Sequence, residues 1–86
     1  MNHMKYVVID NGMYEQIFIF CDAIPHDSMV AKIGQSTKNV VSAGFVTYGS
    51  DGNLSCYGHS TSLNLKSRLI EDTDLLNLEL RGRNPY

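Results

Sequence analysis

Gly58-His59-Ser60-Thr61-Ser62 is the stretch of this 86-residue chain whose residue types come nearest to nucleophilic chemistry. A serine hydrolase holds its nucleophile in the pattern G-x-S-x-G, on a strained turn between a strand and a helix where a base can reach the hydroxyl. Position 62 is serine where that pattern requires glycine, and Asn53 to Leu63 reads as one continuous strand with no sharp turn at Ser60. Neighbouring side chains of a strand point to opposite faces, so His59 is aimed away from the Ser60 hydroxyl. His3 and His26 are the other two histidines, and neither stands at a spacing that makes it a partner for Ser60. Nucleophile, base and orienting group must converge for acyl transfer. The sequence supplies no such convergence, so no catalytic residue is assigned, and Ser60 is expected to be a strand residue facing water.

Metal and phosphate-loop chemistry are equally poorly served. Two cysteines, Cys21 and Cys56, and three histidines show no C-x-x-C, H-x-x-x-H or His-x-Glu pair, the spacings that place ligands on one metal. Isolated thiols of this kind suit buried, reduced cysteines. Gly34-Gln35-Ser36-Thr37-Lys38 lacks the upstream glycine and the G-K-[ST] order of a phosphate loop. No cofactor motif is present. A better collection of polar groups follows the GHSTS stretch: Ser60, Ser62, Lys66 and Arg68 offer two hydroxyls and two cations within nine residues. Hydroxyls and cations that converge can hold a phosphate or carboxylate. These four residues are the candidate ligand site, for an anionic small ligand such as a phosphorylated nucleotide.

The elements that must position these residues follow from periodicity and turn chemistry. Lys5 to Ile9 is β-branched and aromatic, Asp10-Asn11-Gly12 is a turn signal, and Tyr14 to Phe20 resumes a strand pattern, which together predict a hairpin. Pro25 to Ser28 leads into Met29, Val30 and Ile33 on one helical face, with Gly34 as the stop. Val40 to Tyr48 and Asn53 to Leu63 flank Gly49-Ser50-Asp51-Gly52 as a second hairpin, in which Gly44 marks a bulge or a close backbone approach. Glu71, Asp72, Thr73 and Asp74 place acidic and capping residues ahead of Leu75, Leu76, Leu78 and Leu80, a second helix whose acids complement its dipole. The order ββαββα predicts an α+β fold: a four-stranded antiparallel sheet with two short helices packed on one of its faces. One domain spans 1–86, with residues 1–4 frayed and 82–86 a flexible tail.

Composition narrows the function classes. The formal net charge is −2 and 43% of residues are hydrophobic. General nucleic-acid binding leaves a basic footprint that this chain lacks. No apolar run approaches the roughly 18 residues of a membrane span, and the N-terminus lacks the pattern of a secretory signal. A cytoplasmic protein is expected. Tyr14 to Phe20 carries Ile17 and Ile19 on one side and Phe18 and Phe20 on the other, so apolar side chains occupy both faces of the strand. Something must bury the second face. A homodimer with Ile17 and Phe18 at its interface is the expectation.

The run VSAGFVTYGSDGNLSCYGHSTSLNLKSR (41–68), followed by EDTDLLN (71–77), resembles a group of small proteins encoded by bacteriophages and prophages. In that group an SAGF strand leads through a turn to a Gly-x-Ser-x-Ser-Leu strand and a Ser-Arg before an acidic helix start. The group favours an acidic residue at position 59, where this chain has histidine. What the resemblance implies is origin rather than activity. The expectation is a non-enzymatic phage or prophage accessory protein that binds a host protein or other host macromolecule, such as a component of a defence system. The alternative is a small-ligand binder that sequesters a phosphorylated nucleotide through Ser60 to Arg68. An exposed apolar patch favours the first and a built pocket the second.

Overall fold

A computed structural model describes residues 4–49 and 52–82. Strand β1 (Met4–Asp10) turns at Asn11 and Gly12 into β2 (Glu15–Cys21), with Asn11 Oδ1 accepting from the Met13 and Tyr14 amides. Helix α1 (His26–Lys32) follows, and a 3-10 turn over Thr37–Asn39 leads to β3 (Val40–Tyr48). Then come β4 (Leu54–Tyr57), two short strands β5 (His59–Ser60) and β6 (Leu65–Lys66), and helix α2 (Leu69–Gly82). The fold is α+β. Its main sheet is antiparallel throughout, in the order β2-β1-β3-β4.

Helix α1 ends as its glycine foretells. Gly34 and Gln35 donate their amides back to Ala31 O and Val30 O, both at 3.0 Å, the paired bonds that close a helix at a residue with positive φ. Gly44 is a point of close approach: a Cβ there would stand 2.4 Å from the Tyr57 carbonyl oxygen. Only glycine lets β3 lie that close to β4.

Both faces of the sheet are covered, which corrects the expectation of helices on one face. Tyr6 and Val8 face α2 and pack with Ile17, Val46, Cys56 and Leu76. Val7 and Ile9 face the other way and pack with Phe20, Val40, Ala43 and Val30 of α1. Consecutive buried apolar residues, Tyr6 to Ile9, are what a central strand covered on both sides requires. On β3 the register slips opposite Val8 and Ile9, so that Val41 is the extra residue of a bulge. That slip puts Val40 and Ala43 on the same face although they are three residues apart.

The second half departs from its predicted elements in two places. The strand foreseen over 53–63 breaks at Gly58, where φ is +80°. The chain then folds back as the β5–β6 hairpin, whose turn at Thr61 to Asn64 brings Leu63 and Leu65 onto the α1 face of the core. Helix α2 starts at Leu69, so its acidic residues lie inside the first two turns rather than ahead of them. At the ends, Met4 already belongs to β1 and Gly82 is the last residue of α2. The loop residues 50–51, and the parts of the predicted frayed start and flexible tail at 1–3 and 83–86, lie outside the described residues.

Candidate functional site

Ser60 and Ser62 meet, but not on a solvated strand face. Ser60 is fully buried at the end of β5, its Oγ accepting from the Leu63 amide at 3.2 Å and lying 3.5 Å from Ser62 Oγ. Ser62 is exposed, and its Oγ accepts from the Asp27 amide at the start of α1 at 3.2 Å. Ser60 therefore stabilises the turn into β6, and the water-facing position expected of it is occupied by its neighbour His59. Lys66 is exposed and stands opposite His59 across the β5–β6 pair.

Arg68 sits apart from the serines, held by two carboxylates. Its Nη1 and Nη2 donate to Glu15 Oε2 and Oε1 at 3.1 and 2.7 Å, a bidentate pair that ties the start of β2 to the start of α2. Its Nε and Nη2 also reach Asp72 Oδ1, at 3.0 and 2.9 Å. Asp72 is fully buried; its Oδ2 accepts from the Arg68 amide at 2.9 Å and from the Tyr6 hydroxyl at 2.5 Å. A side chain inside the first helical turns thus caps the amide that precedes them. Hydrogen bonds to Glu15 and Asp72 hold the Arg68 guanidinium charged, while burial and the Asp72 carboxylate push the Tyr6 phenol up and keep it a donor. Burial, with Asp72 nearby, also pushes the Cys56 thiol up to about 11. At neutral pH it is protonated, a poor nucleophile.

A concave surface lies on the opposite face, around His59. Across the sheet, Phe20, Lys5, Phe45 and Tyr57 stand as successive Cα partners on β2, β1, β3 and β4. His26 packs edge-on between Phe20 and Phe45, with ring centroids at 5.6 and 5.8 Å, and its Nε2–H donates to Gly44 O at 2.9 Å. Burial pulls the His26 pKa down, so the ring is a neutral structural piece at pH 7. Lys5 Nζ donates to Ile24 O at 3.0 Å, which fixes the ammonium beside the rings. Phe45 and Tyr57 form a tilted pair at 5.7 Å. Gly58 crosses closely over Phe45: a Cβ at position 58 would lie 3.1 Å from that ring. One cavity of about 410 Å³ is lined by Lys5, His26, Phe45, His59, Thr61 and Ser62. A second, of about 420 Å³, adds Asp22, Tyr57 and Gly58 and shares Lys5, Phe45 and His59 with the first.

Of the residues singled out from sequence, Ser62 borders this cleft and Lys66 flanks it beside His59, while Arg68 is committed to Glu15 and Asp72. Sequence reasoning passed over Lys5, Phe45 and Tyr57. Lys5 carried a signal, since it shares the strand phase of Val7 and Ile9 and is thus a cation placed on a core-facing side. Ile17 is 4% exposed beneath α2, and Phe18 packs half-buried against the α1 face, so at these two positions the chain itself covers β2. Among the described residues no three His, Cys, Asp or Glu side chains gather as a metal site, and no helix is long and apolar enough to cross a membrane. No family model, curated protein or solved structure matches the chain.

Proposed function

We propose that this chain is a non-enzymatic accessory protein of phage or prophage origin that works in the host cytoplasm by binding a host macromolecule. An inhibitor of a host defence system is the form this reading takes. What supports it is a set of four exposed apolar residues adjacent in sequence to the two partners of the Glu15–Arg68 ion pair. The Glu15–Arg68 ion pair brings together the chain segments that flank it. Met13 and Tyr14 precede Glu15 and are 91% and 60% exposed; Leu69 and Ile70 follow Arg68 and are 60% and 74% exposed. Large apolar side chains brought near one another by that ion pair make a surface of the kind that marks interaction sites. Methionine at its tip adapts to a partner's contour.

Two edges of the sheet bear on assembly. On β4 the outward amide of Cys56 donates to Thr73 Oγ1 of α2 at 2.9 Å, so that edge is shielded. On β2 the segment Gln16 to Cys21 is an edge without a charged residue, and charge is the common device against edge pairing. The proposed homodimer joins two copies along β2.

Affinity capture from host extract tests the binding reading when wild type is run beside a Met13→Asp/Ile70→Asp double variant with an unchanged circular dichroism spectrum. A host protein held by wild type and lost from the variant is the expected result. A partner held equally by both overturns this surface.

A further inference from the structure

We infer that the cleft around Lys5, Phe45, Tyr57 and His59 is a binding site for a small ligand carrying both an aromatic ring and a phosphate, a mononucleotide. The inference is independent of the exposed apolar residues beside the Glu15–Arg68 pair, because the cleft lies on the α1 face of the sheet and uses none of them.

The cleft has two halves with different chemistry. In one, the tilted ring pair of Phe45 and Tyr57 lines the cavity together with Gly58, His59 and Asp22. A planar base stacks on such rings whatever its identity, and the Asp22 carboxylate is an acceptor for an amino or ribose hydroxyl group at its edge. In the other half, Thr61 and Ser62 bring hydroxyls and His59 an imidazole to the same wall. Lys5 lines both halves. Its ammonium has three donors and spends one on Ile24 O, which leaves two for an anion in the cleft. Lys66, across from His59, adds a second cation at the margin. Each cavity is within the volume range of small-molecule sites, roughly 300–1,000 Å³. The carboxylate at the ring end and the cation with hydroxyls at the other end give the ligand a direction: base toward Asp22, phosphate toward Thr61 and Ser62.

Calorimetric titration with adenosine 5′-monophosphate, adenosine and inorganic phosphate, followed by amide chemical-shift mapping, tests the inference on the full chain. Saturable binding of the nucleotide is expected, tighter than either fragment alone, with shifts at residues 57–62 and salt weakening the nucleotide but not adenosine. Tyr57→Ala and Lys5→Met are each expected to weaken it about ten-fold or more. Because Lys5→Met also removes the bond to Ile24, the exposed His59→Ala variant serves as a second reading, with a loss of several-fold expected. Absence of saturable nucleotide binding at millimolar concentration overturns the site. So does equal binding of inorganic phosphate, or nucleotide affinity unchanged in folded Tyr57→Ala and His59→Ala proteins.

Discussion

Tyr6 and Asp72, sixty-six residues apart in the chain, share a 2.5 Å hydrogen bond in the interior, and that bond joins the central strand to the C-terminal helix. Asp72 has no exposure to water, so its charge relies on Tyr6, the Arg68 amide and the Arg68 guanidinium. Removing one partner of a buried ion pair leaves the other charge uncompensated. Asp72→Ala is therefore expected to cost about 3–5 kcal/mol of unfolding free energy, enough to unfold many domains of this size. Tyr6→Phe removes one bond to a charged acceptor and is expected to cost about 1.5–3 kcal/mol. Urea denaturation of both variants, and of the double variant, measures the coupling; strict additivity of the two losses contradicts a shared network.

Two positions of β3, Ser42 and Gly44, are expected to respond in opposite directions to substitution by alanine. Ser42 is fully buried, and its hydroxyl has no hydrogen-bond partner among the described residues. Ser42→Ala removes an unsatisfied polar atom and keeps Cβ, so stability is expected to rise by about 1 kcal/mol. Gly44→Ala adds a Cβ 2.4 Å from the Tyr57 carbonyl oxygen, a backbone atom that moves only if β4 moves. A loss of about 1–3 kcal/mol is expected. Thermal unfolding followed by circular dichroism separates the two. A lower melting temperature for Ser42→Ala contradicts the account of its hydroxyl.

His26 makes stability depend on mild acid. Its pKa is lowered first by burial, then by the nearby Lys5 charge, against which the Gly44 carbonyl and Asp27 act. The unfolded chain takes up the proton near pH 6.5, whereas the folded ring resists it to lower pH. In that window the unfolded state binds more protons, so stability is full above about pH 6.5 and falls as pH drops below it. The slope is at most about 1.4 kcal/mol per pH unit. Urea midpoints between about pH 5 and 7, above the range where ordinary carboxylates titrate, check this. His26→Gln keeps a donor for Gly44 O and is expected to flatten the profile. An unchanged slope in that variant places the acid sensitivity elsewhere.

Much of this architecture is legible in residue order, and the reasons for the exceptions are physical. Asp10-Asn11-Gly12 marks the first hairpin and Gly34 stops α1, because backbone conformation at those points is decided locally. The strand predicted through Leu63 passes over a local signal, Gly58 followed by the polar run His59 to Ser62, and packing of Leu63 and Leu65 on the α1 face completes the turn. The two-sided cover of β1 was written in Tyr6-Val7-Val8-Ile9, four apolar residues without a polar interruption. Asp72 read as one of several acids at a helix start, and nothing in its neighbours tells that it meets Tyr6. The same limit applies to the cleft. Lys5, Phe45 and Tyr57 come from three strands, and only the pairing register of the sheet sets them in a row.

Burial decides which residue of β2 can test the proposed homodimer. Ile17 lies beneath α2 at 4% exposure, so a charge there is expected to unfold the chain rather than split a dimer. Ile19 faces the same side but is 37% exposed, beside Leu80 at the groove between β2 and α2. In an antiparallel pairing of two β2 strands centred on Phe18, Ile19 of one copy stands opposite Ile17 of the other, and this groove becomes continuous across the pair. Cross-strand apolar pairs add to the main-chain hydrogen bonds that such an edge offers. Light scattering after size exclusion is expected to give about twice the 9.6 kDa chain mass for wild type at micromolar concentration. Ile19→Lys places a charge on the edge and is expected to return the single-chain mass with an unchanged circular dichroism spectrum. Single-chain mass for the wild type at that concentration refutes pairing along β2, as does a dimer that Ile19→Lys leaves intact.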